Sequence, residues 1–331
     1  MKRALLLILL SVIHLYIYSQ NNWLSRIADE TPIADIAIPG SHNSATGNKL
    51  ESITRIGVTQ LLTIDKQWEI GIRAFDLRPD ICNEEINIYH GPLKARITFS
   101  QAIETILKKL ENAPNEFAII IIRQERFGDD AEKRQLWSDK IGKYIQSLGN
   151  RASIFHPEIT AGEMRGKILF LSRSHYTSCS KGAYIKGWSH SPTGTDNAKI
   201  VSYSKSEETP LLLQDFYAPV TNEKLKTKLS TILKFLQQKS QNRETKWSIN
   251  YLSGYASTLF GIDGIPTQKG YLRNATYIHK GVLEFLTDKK EKRCTGIIMM
   301  DFAGKEKIKG RLIFGEQIVK EIIESNFCQG K

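Results

Sequence analysis

The chain has 331 residues, of which 41% are hydrophobic and 24% are charged, and its formal net charge is +11. This composition excludes a disordered or fibrous chain, and the length suits one large α/β barrel or two average domains. The positive charge favours attraction to anionic surfaces such as membrane phosphates. The lysines are dispersed and not interleaved with aromatic residues, so we expect no nucleic-acid binding.

The first twenty residues have the layout of a secretory signal. Met1–Arg3 is basic, Ala4–Tyr18 is almost continuously apolar, and Ser19–Asn22 is polar. The apolar run is short for a membrane span, and no later stretch approaches the length of a transmembrane helix. We therefore predict a signal peptide over residues 1–20 and a secreted protein over residues 21–331, extracellular or periplasmic.

Short aliphatic runs alternate with amphipathic stretches in the remaining chain. The predicted strands are Ile33–Ile38, Ala74–Leu77, Phe117–Ile122, Lys167–Ser172, Leu211–Gln214, Ser248–Leu252 and Gly296–Asp301. The predicted helices are Ser100–Glu111, Glu132–Leu148, Asn222–Gln238 and Arg311–Asn326. Runs such as Ala118–Ile122 are apolar on both faces, which indicates a covered parallel sheet in a β/α barrel or a doubly wound fold. No Gly-rich phosphate loop follows a strand, which disfavours a nucleotide-binding sheet.

Polar side chains follow one predicted strand after another. They include two histidines, several arginines and several carboxylates: His42, Asp76, Arg78, His90, Arg123, Glu125, Arg173, Asp215, Tyr217 and Asp301. Barrel active sites lie at the carboxyl ends of the strands. Arginine offers forked donors to phosphate oxygens, and two histidines can divide general-base and general-acid duties near neutral pH. The set therefore indicates phosphoryl chemistry.

Other polar residues have simpler interpretations. Asp76 could instead be a buried partner of Arg73 or Arg78. We expect structural roles for the remaining histidines of the mature chain, His156, His175, His190 and His279. The cysteines are Cys82, Cys179, Cys294 and Cys328. Their wide spacing argues against a zinc site, while disulfides and free thiols both remain open.

Several of these motifs resemble a known family. Ile38–Ser44 resembles the first signature of the X domain of phosphatidylinositol-specific phospholipases C. Gly71–Arg78, followed by Tyr89–Leu93, resembles the second signature, and Leu213–Tyr217 and Met299–Phe302 resemble later blocks of the bacterial type. The resemblance implies a single distorted TIM-like (β/α) barrel. It also implies a lyase that converts phosphatidylinositol, with glycosylphosphatidylinositol anchors as a second substrate class, to diacylglycerol and inositol 1,2-cyclic phosphate.

The resemblance assigns roles to individual residues. His42 matches the general base, Asp301 the carboxylate that orients it, and His90 the general acid. Arg78 matches the phosphate-binding arginine, with Asp76 beside it. The positions expected to contact the inositol ring are Arg173, Asp215 and Tyr217.

The same comparison predicts an enzyme without metal or other cofactor. Calcium-using relatives place carboxylates where this chain has Arg78 and Arg123, and a calcium ion needs about six to eight oxygen ligands. We expect Arg78 to replace the metal as the electrophile. Metal-independent relatives carry Asp after the base histidine, and here that residue is Asn43. Asp80, Glu84 or Glu125 are candidates for supporting His90 in its place.

The expected partner is a phosphatidylinositol-containing membrane surface, met transiently by a monomer without an obligate protein partner. Relatives expose a Trp after the first motif, whereas Ile53–Gly57 offers isoleucine and arginine.

The sequence leaves two alternatives to the lyase. A glycerophosphodiester-type phosphodiesterase would bind metal through carboxylates, which Arg78 opposes. A catalytically silent X domain that binds inositol lipids or glycans would normally have lost at least one of the site residues.

Overall fold

The computed structural model describes residues 21–52, 56–126, 130–219, 221–241, 247–255, 258–259, 262–263, 267–288 and 294–327. The predicted signal peptide over residues 1–20 lies outside these ranges, as does Cys328. None of the described helices is both long enough and apolar enough to span a bilayer.

The described residues form sixteen strands and seven α-helices. The strands are β1 (Ile38–Ser41), β2 (Ala74–Leu77), β3 (Pro79–Cys82), β4 (Glu85–His90), β5 (Leu93–Thr98), β6 (Ala118–Ile122), β7 (Ile168–Ser172), β8 (Ala183–Lys186), β9 (Thr195–Ser202), β10 (Glu208–Gln214), β11 (Trp247–Tyr251), β12 (Thr258–Leu259), β13 (Ile262–Asp263), β14 (Ile297–Met300), β15 (Lys307–Ile308) and β16 (Arg311–Leu312). The helices are α1 (Ile64–Glu69), α2 (Phe99–Asn112), α3 (Ala131–Ser147), α4 (Ala161–Met164), α5 (Asn222–Gln241), α6 (Gln268–Thr287) and α7 (Gly315–Ser325).

A closed barrel organises the molecule, with the strand order β1-β14-β11-β10-β9-β8-β7-β6-β2. All neighbouring strands are parallel except that β9 runs antiparallel to both β8 and β10. The predicted distorted barrel is therefore confirmed, and the inserted β8–β9 hairpin is its main distortion. Strands such as β6 are buried along their whole length because the barrel interior covers one face and helices cover the other.

A second sheet, β3-β4-β5, follows β2 in the chain. Its strands are antiparallel, and the backbone N–H of Tyr89 donates to the carbonyl of Arg78 at 3.0 Å. This bond ties the small sheet to the residue that follows β2. The last residue of β4, His90, is thereby brought to the same edge of the barrel as the carboxyl ends of the barrel strands.

Most predicted elements are confirmed to within a few residues, and β2 matches its predicted bounds. Two are wrong in part. Ile33–Asp35 forms a 3-10 helix, so the strand predicted over Ile33–Ile38 begins only at Ile38. The helix predicted over Arg311–Asn326 begins at Gly315, because Arg311 and Leu312 pair with Lys307 and Ile308 in a small hairpin.

The structure describes three of the four cysteines, and each of the three is partly buried. Cys82 and Cys179 are free thiols, which is one of the two interpretations that the sequence left open. The Cys294 thiol donates to the carbonyl of Ala34 at 3.8 Å.

A buried ion pair fixes the chain entering β2. Both Arg73 and Glu116 are fully buried, and Arg73 Nε donates to Glu116 Oε2 at 2.8 Å. Arg73 also donates to the carbonyls of Trp68 and Ile72, and its guanidinium lies 3.8 Å from the Trp68 ring centroid. Of the two roles considered for Asp76, a pairing with Arg73 is wrong, because Glu116 is the partner of Arg73.

We predict that Glu116→Gln lowers the free energy of unfolding by about 3 kcal/mol, because it leaves the Arg73 charge buried without its counter-ion. Urea denaturation followed by circular dichroism measures the change. The control is Lys66→Gln, which breaks a pair with Glu69 at a lysine that is 58% exposed, and we expect a much smaller loss because exposed pairs contribute little. Equal losses in the two variants would contradict this account.

Candidate active site

His42 directly follows β1 and lies inside the mouth of the barrel. Its backbone N–H donates to the carbonyl of Met300 at 2.9 Å, and the Gln60 amide donates to the carbonyls of both His42 and Met300. β1 must lie very close to its neighbours, since a Cβ atom at Gly40 would meet the Met299 sulfur at 2.3 Å. The close packing requires glycine here and fixes where the His42 side chain enters the site.

The two ring nitrogens of His42 have different partners. Nδ1 lies 2.7 Å from Asp301 Oδ1, and both side chains are buried. Nε2 lies 2.9 Å from a terminal nitrogen of Arg78 and 3.1 Å from the side-chain nitrogen of Asn43. Both of these groups are donors, so Nε2 is the acceptor and the Nδ1 proton points to Asp301. This is the tautomer that a general base acting through Nε2 requires.

Asn43 adopts a left-handed backbone conformation with φ 47° and ψ 51°. Asparagine tolerates this region better than most residues, and here it turns the chain sharply after His42. The turn points the backbone N–H of Asn43 at Asp76 Oδ2, 3.4 Å away, and leaves its amide against His42. Asn43 therefore contacts the base histidine, and no bond between its side chain and His90 is among the described contacts.

Arg78 is buried at the end of β2 and is surrounded by carboxylates. One of its terminal nitrogens lies 3.0 Å and 3.1 Å from the two oxygens of Glu125, and the other lies 3.4 Å from Asp76 Oδ2. Arg123 binds the same Glu125 at 2.6 Å. Burial alone would raise the pKa of the Glu125 carboxyl, but Arg78 and Arg123 hold that pKa at about 2. Glu125 thus stays ionised and anchors two guanidinium groups.

His90 faces His42 across the site, with ring centroids 6.4 Å apart. Its Nδ1 lies 2.6 Å from the carbonyl of Gly57, so Nδ1 carries a proton and Nε2 is the atom that can gain or lose one. Gly57 has φ +82°, a conformation that glycine adopts without strain. Burial, together with the charges of Arg78 and His42, lowers the pKa of His90 to about 4. Without substrate, His90 is therefore neutral at pH 7.

Of the three carboxylates considered as supports for His90, Glu125 alone acts on it. Glu125 accepts the backbone N–H of Gly91 at 2.9 Å, and its charge raises the pKa of His90. Asp80 instead accepts the backbone N–H groups of Ile81 and Arg126 at 2.8 Å. Glu84 is exposed and binds Lys140. The support from Glu125 is partial, because its charge is shared with Arg78 and Arg123.

The opposite wall of the site is built around Asp215. Its Oδ2 accepts the Trp188 indole N–H at 3.0 Å and lies 3.7 Å from Arg173. The Arg173 guanidinium stacks on Trp188, 3.8 Å from the ring centroid. Burial and the nearby charge of Arg123 lower the pKa of Arg173 to about 10, so it remains charged at neutral pH. His190 contacts both residues, with Nδ1 3.2 Å from Asp215 Oδ2 and Nε2 3.3 Å from Arg173.

Two tyrosine rings pack against His42. The centroids of Tyr217 and Tyr251 lie 5.5 Å and 5.9 Å from that of His42, with the rings at steep angles to the imidazole. Several buried polar atoms here have no hydrogen-bond partner among the described residues. They are Asp76 Oδ1, Asp215 Oδ1, Arg78 Nε and the Tyr251 hydroxyl. Unsatisfied buried donors and acceptors grouped at one end of the barrel fit a ligand with several hydroxyl groups and a phosphate.

The structure brings all ten predicted site residues to one end of the barrel, and it adds three that the sequence did not single out. Trp188 and His190 lie between β8 and β9, in the hairpin that interrupts the parallel order. No strand is predicted there, so these residues lacked a strand end to mark them. His190, predicted to be a structural group, lies in the wall of the site with contacts to Asp215 and Arg173. Tyr251 ends β11, within a predicted strand, where an aromatic residue is usual in a core.

The chain is similar in sequence to known bacterial proteins. The chain is 27% identical over 291 residues to the 1-phosphatidylinositol phosphodiesterase of Listeria monocytogenes, which covers 87% of this chain and 82% of that protein. It is 23% identical over 318 residues to the protein of the same name from Staphylococcus aureus strain Newman, covering 93% and 95%. No family model matches the chain.

Solved structures show the same fold. The phosphatidylinositol-specific phospholipase C of L. monocytogenes is 25% identical, with a TM-score of 0.65 over 93% of this chain and 98% of that one. A mutant form of the phosphatidylinositol-specific phospholipase C of S. aureus is 20% identical, with a TM-score of 0.72 over 94% and 97%. The family resemblance, the barrel fold and the phosphodiesterase class predicted from the sequence are thereby confirmed.

We predict that Arg78→Gln raises the pKa of His90 from about 4 towards its ordinary value of 6.5, because one of the positive charges that lower it is removed. Proton NMR titration of the His90 ring signal, assigned with a His90→Gln sample, measures the shift. The control is Arg126→Gln, which removes a guanidinium stacked 4.5 Å over Tyr89, the residue before His90. An unchanged titration in Arg78→Gln, or an equal shift in the control, would contradict the assignment.

Proposed function

We propose that this chain, a member of the bacterial phosphatidylinositol-specific phospholipases C, cleaves phosphatidylinositol to diacylglycerol and inositol 1,2-cyclic phosphate. The observation that carries the proposal is the arrangement around His42, with Asp301 at Nδ1, Arg78 at Nε2 and His90 across a gap of 6.4 Å between ring centroids. A base, an acid and a phosphate-binding cation thus lie beside one another at the end of the barrel.

The reaction begins at His42. Its Nε2 accepts the proton of the inositol 2-hydroxyl, and the freed oxygen attacks the phosphorus. Asp301 keeps the Nδ1 proton in place and stabilises the imidazolium that forms. Without substrate, donors from Arg78 and Asn43 occupy Nε2. A bound phosphate gives Arg78 an alternative acceptor, which releases the lone pair of Nε2 for the hydroxyl proton.

Departure of diacylglycerol completes the cleavage. As the new bond from the 2-oxygen to phosphorus forms, the bond from phosphorus to the glycerol oxygen breaks, and His90 Nε2 supplies a proton to that oxygen. The pKa of His90, about 4 without substrate, is far below that needed of an acid at pH 7. The negative phosphodiester offsets the charge of Arg78, so substrate binding favours the protonated form of His90.

Arg78 supplies the positive charge that calcium provides in other members of the family. Its guanidinium is buried beside both His42 and Glu125, where forked donors match phosphate oxygens. Among the described residues no group of three or more His, Cys, Asp or Glu side chains is arranged to hold a metal ion. The position of the Arg78 guanidinium supports turnover without metal.

The ring of inositol is assigned to the wall opposite Arg78. Arg173 and Asp215 offer a donor and an acceptor for ring hydroxyls, and Tyr217 offers a stacking face. Asp215 Oδ1 and the Tyr251 hydroxyl have no hydrogen-bond partner among the described residues, which suits further ring hydroxyls. Arg123 is 29% exposed and binds Glu125. From there its guanidinium adds to the positive charge that Arg78 presents to the phosphate.

Access from a membrane follows from the position of the mouth. Membrane binding is described for the similar S. aureus phospholipase. In this chain Ile56 is 48% exposed and precedes Gly57, whose carbonyl holds His90. Ile53–Arg55, also expected to form this surface, lies outside the described residues. With a charge of +11, the protein is suited to a transient encounter with anionic lipid after secretion.

A silent inositol-binding module is the second candidate, and one observation favours it. The low pKa of His90 leaves only a small fraction of this residue protonated at pH 7 before substrate binds, and only the protonated form can act as the general acid. The retention of His42, His90, Arg78 and Asp301 in hydrogen-bonding geometry favours the enzyme.

We predict that residues 21–331, incubated with phosphatidylinositol vesicles in EDTA, release inositol 1,2-cyclic phosphate, because Arg78 replaces the metal. Phosphorus NMR measures the product. His42→Gln should lower the rate by at least about a thousandfold, as expected for loss of the base.

The matched control is His156→Gln, a histidine outside the site that binds Glu163, and it should leave the rate unchanged. Turnover that requires calcium would contradict the role of Arg78. Vesicle binding without product in either condition would favour the silent module.

A further inference from the structure

Lys228 is a fully buried lysine that the reaction described above does not use. It lies on α5, and its side-chain nitrogen donates to the carbonyl of Phe216 at 2.6 Å and to that of Tyr251 at 2.9 Å. Lysine is rarely buried completely, because taking its charge out of water is costly. No carboxylate lies within ion-pair distance of it in the described part of the chain. The energetic cost of burying Lys228 suggests that this residue has a function.

Both carbonyls belong to the ends of strands that carry the site. Phe216 lies between Asp215 and Tyr217, directly after β10, and Tyr251 is the last residue of β11. The bonds from Lys228 therefore join the ends of two neighbouring strands. These ends carry the residues assigned to the inositol ring.

Side-chain amides extend the junction made by Lys228. Gln214 donates to the carbonyl of Tyr251 at 2.9 Å and accepts the backbone N–H of Phe216 at 2.7 Å. Asn274 donates to the carbonyl of Leu252 at 2.9 Å. The loop held in this way directs the backbone N–H of Gly254 to Asp301 Oδ2, 3.3 Å away.

Lys228 differs from these amides because it carries a positive charge. Asp215 and Asp301 are both buried, and each acts on Lys228 through the low dielectric of the barrel interior and raises its pKa. Burial is the larger effect and lowers the pKa of Lys228 to about 8, so it is mostly protonated at pH 7. In turn, the charge of Lys228 helps to keep the pKa of Asp215 below its usual range, against the opposite effect of burial.

We propose that Lys228 is a positioning residue for the inositol-binding wall, which holds the ends of β10 and β11 together and places a positive charge behind Asp215. The inference rests on the proposed function and deepens it. Lys228 touches neither the reacting phosphate nor the histidines. Its loss should therefore weaken recognition of the ring more than it slows the chemical steps.

α5 itself provides the matched control. Lys239 lies eleven positions further along the helix, is only 2% exposed, and has its side-chain nitrogen 3.6 Å from Asp35. A separation of three helical turns puts Lys239 at the opposite end of the barrel from the site. Replacing either lysine by methionine removes one buried charge from the same helix.

The test compares wild type, Lys228→Met and Lys239→Met in the cleavage of short-chain phosphatidylinositol, with myo-inositol as competitive inhibitor. We expect Lys228→Met to raise KM and the inhibition constant of myo-inositol by about tenfold or more, with kcat changed less than about threefold. Lys239→Met should leave all three constants as in wild type. Thermal unfolding of each variant reports any general loss of stability.

The outcomes separate the two proposals. An active wild type whose constants are unchanged in Lys228→Met overturns the role of Lys228 alone. Equal losses in both methionine variants, in proportion to their lowered unfolding temperatures, also overturn it, because they would reflect the stability of α5. A wild type without turnover overturns the proposed function and this inference with it.

Discussion

A buried guanidinium at the mouth of the barrel is the group on which the rest of the site depends. Arg78 lies against Asp76, Glu125 and His42, so the charge proposed to bind phosphate directly contacts the proposed base. Burying such a charge is costly unless a partner compensates it. Glu125 and Asp76 provide that compensation, and neither is left with enough uncommitted charge to stabilise a protonated His90. Burial, and after it the charge of Arg78, therefore lower the pKa of His90.

The barrel places these groups together although they are far apart in the chain. Parallel strands β1, β2, β10, β11 and β14 deliver their following residues to one edge, as in other barrels. Two additions to the parallel pattern complete the site. The small sheet after β2 carries His90, and the hairpin β8–β9 carries Trp188 and His190. The proposed catalytic and ring-binding functions thus depend partly on the elements that depart from the regular barrel.

Much of this arrangement was predictable from local sequence. The buried run Ala118–Ile122 announces a covered strand, and the polar residues that follow such runs mark the edge where the site lies. The strand predicted over Ile33–Asp35 is wrong because a short apolar run is compatible with both a strand and one turn of 3-10 helix. The pairing of Glu125 with two arginines, and the low pKa of His90, depend on distances between separate loops. The sequence analysis did not identify Trp188 or Lys228, because neither residue follows a predicted strand.

The division of labour between His42 and His90 is the central claim, and changing the leaving group tests it most directly. With 4-nitrophenyl inositol 1-phosphate the departing oxygen needs no proton. His90→Ala should therefore slow cleavage of this substrate by less than about tenfold, while slowing cleavage of phosphatidylinositol by about 10² to 10⁴. His42→Ala should be severely impaired with both substrates. Equal impairment of His90→Ala on the two substrates would contradict its role as the general acid.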